Sequence, residues 1–349
     1  MTRISRFTPS SSRIVHSWFP LMILGAIFSG VSSLGKIFLY LAAVILAGAL
    51  AAPQAWELIH RLSPALLGGI LGKIQGMPFH RYLSRSIQVS ALVLLIPLFL
   101  SLRFRSLRAF SLVPNPRGFR DLGIGMTAGL LCMVLIVPVY MGFGACSLSS
   151  DWELLFIHAL PRIALTAVAV ALLEEFLFRG VLLGLLRQVM VPSVAVVMAA
   201  IPFAIIHFFN LPRGGVGESV GRGVGDGVSV SWWSGLSSLT QTVASLPSWP
   251  LLLYGVATLF VAGLLLGWLT VRTGSLHAAV GLHGVWILGQ QLFNKISVFQ
   301  PDLVVLLPFI GPSQCSGAVP TGLIPLGALL IGGFLAAVLL RKRPLPENG

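Results

Sequence analysis

The chain is poor in charge: only 9% of its 349 residues are Asp, Glu, Lys or Arg. A soluble domain carries about 25%, so a chain of this length lacks the polar surface needed to face water on all sides. Carboxylates are scarcest, ten against 23 basic residues, and each one in an apolar stretch therefore stands out. Cysteine is scarce too. Cys132, Cys146 and Cys315 make no recognisable metal or disulfide framework; a Cys146–Cys315 bridge requires both residues on one side of a membrane, and packing is the preferred role.

In place of charge there is apolar residue, 56% of the chain, with a mean hydropathy of +0.93. Apolar runs close to the ~20 residues that cross a bilayer recur, near 15–33, 36–53, 86–102, 121–143, 160–186, 191–209, 250–271, 275–292 and 322–340. The fold expected is all-α, a polytopic transmembrane helix bundle of about 8–9 spans. The first run continues too far for a simple cleaved signal peptide. The first hundred residues leave the crossing count open: either Leu62–Ile74 is a short re-entrant or interfacial helix, or the N-terminus lies outside.

The net charge of +13 does not point to nucleic acid. Arginines cluster beside apolar runs, at Arg3, Arg6 and Arg13, at Arg103–Arg120, and at Arg341 and Arg343. This is the positive-inside pattern, with anionic membrane lipid as the partner. It makes the arginine-rich segment, Arg187, Arg272 and the C-terminus cytoplasmic, and leaves 144–155 and 292–321 on the other side. The expected location is a bacterial plasma membrane. Residues 210–248 form one long glycine-rich loop; the glycines follow no strand and lead to no Lys-Ser or Lys-Thr, so a flexible connection is the reading rather than a phosphate loop.

Glu174 and Glu175 lie in the middle of an apolar span. A charged group there costs roughly 2.5–3.5 kcal/mol on insertion scales, so it faces a cavity or a partner. Glu175 and Arg179 are four apart with the acid first, the order that favours an ion pair. Glu174 points about 100° away and has no partner in its own helix. A Glu–Arg clamp between helices explains Glu175 and leaves Glu174 unexplained.

His207 follows Phe203 by one turn, just after Pro202, and His283 sits centrally in its span, with Ser275 and Ala279 on the same face. His158 and His277 are near span ends and read as interfacial or packed. One embedded Glu and two embedded His can bind zinc or activate water directly. The zinc reading lacks a ligand pair such as His-Glu-x-x-His. The direct reading needs Glu174 as base, one His to orient the water and the other to stabilise an oxyanion. Spacing alone leaves both open.

These residues resemble the CPBP family, which comprises CAAX-type prenyl proteases and bacteriocin-processing (Abi) membrane proteins. Its motifs are Glu-Glu-x-x-x-Arg, Phe-x-x-x-His and His-x-x-x-Asn/Asp. The chain has Glu174-Glu175-Phe176-Leu177-Phe178-Arg179, then Phe203-Ala204-Ile205-Ile206-His207, then Gly274-Ser275-Leu276 leading to His283. The resemblance covers about 160–292. It implies a glutamic-type intramembrane endopeptidase without metal or cofactor, zinc being the less favoured alternative. In it Glu174 and His207 hold the water, His283 stabilises the oxyanion, and Glu175, Arg179 and Phe203 support the site. The substrate is then a peptide or protein, with lipidated ones among the candidates. The expected organisation is 1–120 as N-terminal spans with a basic segment, 121–292 as the catalytic bundle, and 293–349 as loop, last span and basic tail. One departure matters: Ile287 stands where the family has Asn or Asp. Gln290, a turn further on, is the expected substitute donor, while Trp286 is read as pointing elsewhere. Ile287 supports another reading, a non-catalytic scaffold or immunity-type relative; behind it stands a proton-coupled transporter, which could also use embedded Glu and His residues but lacks the expected repeat symmetry.

Overall fold

The computed structural model describes residues 32–63, 65, 69–102, 110–112, 114–207, 230–244, 249–300, 306, 308–311 and 322–340. Its helices are α1 (Ser33–His60), α2 (Ile70–Gln75), α3 (Phe79–Leu102), α4 (Gly118–Gly142), α5 (Trp152–Glu175), α6 (Leu183–Leu186), α7 (Pro192–Ile206), α8 (Ser234–Ala244), α9 (Trp249–Thr273), α10 (His277–Ile296) and α11 (Leu323–Leu340). Phe176–Leu182, between α5 and α6, is π-helical. The all-helical bundle expected from the apolar runs is present, with one small addition. Two strands, β1 (Cys146–Leu148) and β2 (Ser297–Phe299), pair antiparallel with Cys146 opposite Phe299.

The span count differs from the expectation. Among the described residues six helical segments are long and apolar enough to cross a membrane: Leu34–His60, Phe79–Leu100, Gly118–Gly142, Trp152–Leu186, Trp249–Thr273 and Leu323–Leu340. The run at 15–33 lies outside the described residues except for Ser32 and Ser33. The remaining two fall short for separate reasons. The first, α7, has only 15 residues. The second, α10, is 20 residues long but carries His277, His283, Gln290, Gln291, Asn294 and Lys295. A helix with that many polar groups is tolerated in a bilayer when other helices surround it.

Such shielding is what the packing provides. Helix α10 is packed against α4 and α5, and glycine sets the distance to α4. A Cβ on Gly125 would lie 2.0 Å from the Ala278 carbonyl oxygen, and one on Gly281 would lie 2.3 Å from that of Leu122. The two backbones therefore touch, the close approach that small residues permit in membranes. Gly263 does the same for α9, where a Cβ would meet the Ala200 Cβ at 2.9 Å on α7. Buried residues of α4, α7, α9, α10 and α11 form one continuous apolar core. A second core joins α1 and α3 to the π segment, α6 and α7.

The described loop contacts fall at two ends of the bundle. At one end Asn115 Nδ2 donates to Ser275 Oγ at 2.9 Å, and Arg272 Nη2 donates to the Leu340 carbonyl at 3.3 Å. At the other, β1 and β2 tie 144–155 to the start of 292–321. The short α2 is stapled between neighbours. Gln75 Nε2 donates to the Ile59 carbonyl at 2.8 Å, and the Tyr82 hydroxyl donates to that of Ile74 at 2.7 Å. It caps the turn between α1 and α3 and adds no crossing. Cys132 and Cys146 are buried free thiols; Cys315, the glycines of 210–229 and the basic C-terminal tail lie outside the described residues.

The backbone contact at Gly125 gives a direct test. Gly125→Ala drives a methyl group into the Ala278 carbonyl and should cost about 1–3 kcal/mol, as overpacking does. Gly123→Ala, with nothing within 4 Å of its Cβ, should leave stability unchanged or slightly higher. Thermal melting of the two variants in detergent makes the comparison, and equal melting points would mean that the helices yield at Gly125.

Candidate active site

Glu174 and Glu175 are the last two residues of α5, and the helix changes character immediately after them. In the π segment the Leu183 N–H reaches back five residues to the Phe178 carbonyl. Such a widened turn is rare and recurs at functional sites. The sequence offers no periodic sign of it, and the uninterrupted α-helix expected over 160–186 is corrected here. The widened turn follows directly on the two carboxylates and contains Arg179.

Glu175 is fully buried, with 0% exposure, and Arg179 is 2% exposed. Arg179 Nη1 donates to Glu175 Oε1 at 2.8 Å, the ion pair expected from the spacing. Arg179 also reaches the Gly263 carbonyl with Nη2 at 3.5 Å, and its Cζ lies 4.0 Å from the centroid of the Phe203 ring. The same carboxylate oxygen has a second donor that the sequence did not reveal. His283 Nδ1 is 2.7 Å from Glu175 Oε1. Glu175 thus holds a cation of its own helix and an imidazole of α10 at once.

His207 caps the end of α7. Its Nδ1 is 2.7 Å from the Phe203 carbonyl oxygen, and only a ring N–H can bond there. The hydrogen is thereby assigned to Nδ1, which leaves Nε2 unprotonated in the neutral ring. Phe203 is the shared wall: its ring meets those of His207 at 4.6 Å and His283 at 6.0 Å, both at steep angles.

Glu174 stands apart from this scaffold and faces both imidazoles. Its Oε2 is 3.8 Å from His207 Nε2 and 3.8 Å from His283 Nε2, and that oxygen is buried without a hydrogen-bond partner. Three helices therefore bring one carboxylate oxygen and two ring nitrogens to a common point, each too far from the others for a direct bond. The gaps suit a bridging atom. Among the described residues no group of three or more His, Cys, Asp or Glu is arranged to hold a metal ion.

His158 and His277 stay outside the cluster, as their span-end positions imply. His158 Nδ1 bonds the Leu154 carbonyl at 2.8 Å on an exposed surface, and a Cβ on Gly118 would lie 2.7 Å from His277 Nε2. Ile287 is half-buried. Gln290 and Trp286 are both buried on the side of α10 that carries His283. Gln290 Nε2 and Trp286 Nε1 have no hydrogen-bond partner, so Trp286 is as much a spare donor as Gln290.

The six membrane-length apolar segments define an integral membrane protein. Residues 156–288 match the family model described as type II CAAX prenyl endopeptidase Rce1-like, a family of proteases that act on peptides in a membrane setting. The matched stretch contains Glu174, Glu175, Arg179, Phe203, His207 and His283 and ends before Gln290. No curated protein and no solved structure matches the chain.

The double duty of Glu175 separates its variants from those of its neighbour. Glu175→Ala strands a buried guanidinium and frees His283, a change that costs about 3–5 kcal/mol when one partner of a buried pair is removed. Glu174→Gln removes no bond inside the protein and should melt close to wild type. Thermal unfolding in detergent separates the two, and similar melting points would mean that Glu175 is not the keystone.

Proposed function

We propose that the protein is an intramembrane endopeptidase in which Glu174 activates water, His207 orients it and His283 stabilises the oxyanion. The observation that carries this reading is the convergence of His207 Nε2 and His283 Nε2 on Glu174 Oε2 at 3.8 Å each. A water hydrogen-bonded to two of these atoms at ~2.8 Å spans a 3.8 Å gap with a bent geometry that water readily adopts.

The protons follow from the partners. The Nδ1–H of His207 is engaged by the Phe203 carbonyl, so its Nε2 accepts a hydrogen bond from the water, whose other proton passes to Glu174 while the first stays on the attacking oxygen. The water oxygen then attacks the scissile carbonyl carbon, and the electron pair moves onto the carbonyl oxygen. His283 has Nδ1–H on Glu175; in its doubly protonated form Nε2–H is left to donate to that oxyanion. With Glu174 protonated, the charges of Glu175, Arg179, protonated His283 and the oxyanion then cancel, which a low-dielectric site favours. In the second half Glu174 returns its proton to the leaving nitrogen, the C–N bond breaks and the oxyanion collapses to the carboxyl product.

Zinc held by the same three side chains would use the same gap. The two mechanisms part on a simple measurement. With water activated by Glu174, purified protein should contain no stoichiometric metal, chelators should leave cleavage of membrane peptides intact, and Glu174→Gln should abolish it while the fold persists. Stoichiometric zinc that disappears in His207→Ala would replace this mechanism with a metal-dependent one.

A second reading rests on Ile287. Loss of one oxyanion donor costs about 2.7–4 kcal/mol of barrier, enough for a non-catalytic membrane relative to have kept the fold. Gln290 is our candidate for the missing donor, since it is buried with its amide unpartnered. Gln290→Ala should then slow cleavage by ~10²–10³, and Ile287→Asn should restore much of the rate in that background. If Gln290→Ala leaves cleavage unchanged, it is not the donor. If only Ile287→Asn protein cleaves anything, the natural chain is the non-catalytic relative.

A further inference from the structure

Helix α1 ends at His60, and the ring of that residue is held between two carbonyl groups. His60 Nδ1 is 2.8 Å from the Trp56 carbonyl oxygen, one turn back in the same helix. Its Nε2 is 3.1 Å from the carbonyl oxygen of Gln75, the last residue of α2. A carbonyl oxygen only accepts, so each ring nitrogen must carry a hydrogen for its bond to exist. A neutral imidazole has one N–H, and only the imidazolium has two. In the neutral ring one nitrogen would turn its lone pair toward a carbonyl oxygen at hydrogen-bond distance, and that contact is repulsive.

The rest of the arrangement is reciprocal. The His60 ring stacks on the Trp56 indole at 3.9 Å and 23°, against the face that attracts a cation, at the C-terminal end of α1. Gln75 answers in the other direction, its side-chain amide donating to the Ile59 and Leu62 carbonyls at 2.8 and 2.9 Å. The ends of α1 and α2 thus cap each other. The charged and titratable neighbours are Glu57 and Arg61 on α1, which pair with each other, Lys73 on α2, and His80, Arg81 and Tyr82 in the first turn of α3. Helix α8, which also packs on α1, contributes none. The Tyr82 ring is 6.0 Å from that of His60, and its hydroxyl holds the Ile74 carbonyl of α2 by a bond that does not depend on His60.

We propose that His60 is a proton-operated latch, which as the imidazolium fastens α2 to the end of α1 and on losing a proton releases the Gln75 carbonyl. The bond to Trp56 is the shorter and lies within one helix, so the neutral ring keeps its hydrogen there. The α2 segment is therefore held at the acid side of the range in which histidine changes charge, about pH 5–8, and loosened at the alkaline side. His60 is exposed, so protons reach it from water. Helix α3 runs from this end of the bundle to Leu102, which puts the latch at the end opposite the arginine-rich segment. It responds to the medium on that side, and it stands whether or not the protein is a protease.

Hydrogen–deuterium exchange of the full-length protein in detergent tests this, read on the amides of residues 70–77 at about pH 5.5 and about pH 8. Comparison with His60→Phe at each pH cancels the intrinsic effect of pH on exchange, and the phenyl ring keeps the stack on Trp56 while removing both donors. At the lower pH the wild type should exchange about tenfold more slowly than His60→Phe, the protection that one charge-assisted bond gives. At the higher pH the two should exchange at nearly the same rate. His60→Arg keeps a planar cation with several donors at every pH and should be protected at both. His80→Gln should behave as the wild type. A protection ratio that is equal at both pH values, or larger at the higher one, would overturn the latch. So would a wild-type step that His80→Gln removes, since His80 would then be the titrating group.

Discussion

One carboxylate oxygen, Glu175 Oε1, holds the centre of this protein together. It accepts from Arg179 within its own chain segment and from His283 across to α10, at full burial. Two donors on one oxygen satisfy a charge that would otherwise be prohibitively costly in a membrane interior. Arg179 in turn spreads over the Phe203 ring and reaches the Gly263 carbonyl, so α7 and α9 are registered against the same point. The other carboxylate, Glu174, is left uncommitted because its neighbour has absorbed the nearby cation and one imidazole nitrogen.

That centre requires a helix that suits membranes poorly. Helix α10 carries His283 and Gln290 as buried residues and is too polar to count among the six membrane-length apolar segments. It is held by backbone-to-backbone contact with α4 at Gly125 and Gly281, where missing side chains give dispersion contact that lipid tails cannot match. Arrangement of the site and shielding of α10 are thus one problem with one solution. The π segment belongs to it as well, since an irregular turn persists where surrounding packing fixes it.

Within the site the two histidines are set by different means. His207 is oriented by a carbonyl of its own helix end, His283 by a carboxylate from another helix. The first arrangement leaves a ring nitrogen suited to accept, the second supports a ring that donates. This asymmetry sets two chemically identical side chains in different hydrogen-bonding states beside Glu174.

Sequence by itself determined the membrane class, the helical fold and the identity of the polar residues that meet. Low charge and long apolar runs leave a chain no other way to satisfy its backbone, and Glu or His within such runs must face one another. The Glu175–Arg179 pair was legible because its four-residue spacing is local. The contact of His283 with Glu175 was not, because it joins residues 108 apart and no periodicity encodes which face of one helix meets which face of another. Nor was the π turn at Phe176, the pairing of β1 with β2, or the contact of His60 with the Gln75 carbonyl. Each depends on how closely helices approach, and that distance is decided by glycines and side-chain volumes acting together in three dimensions.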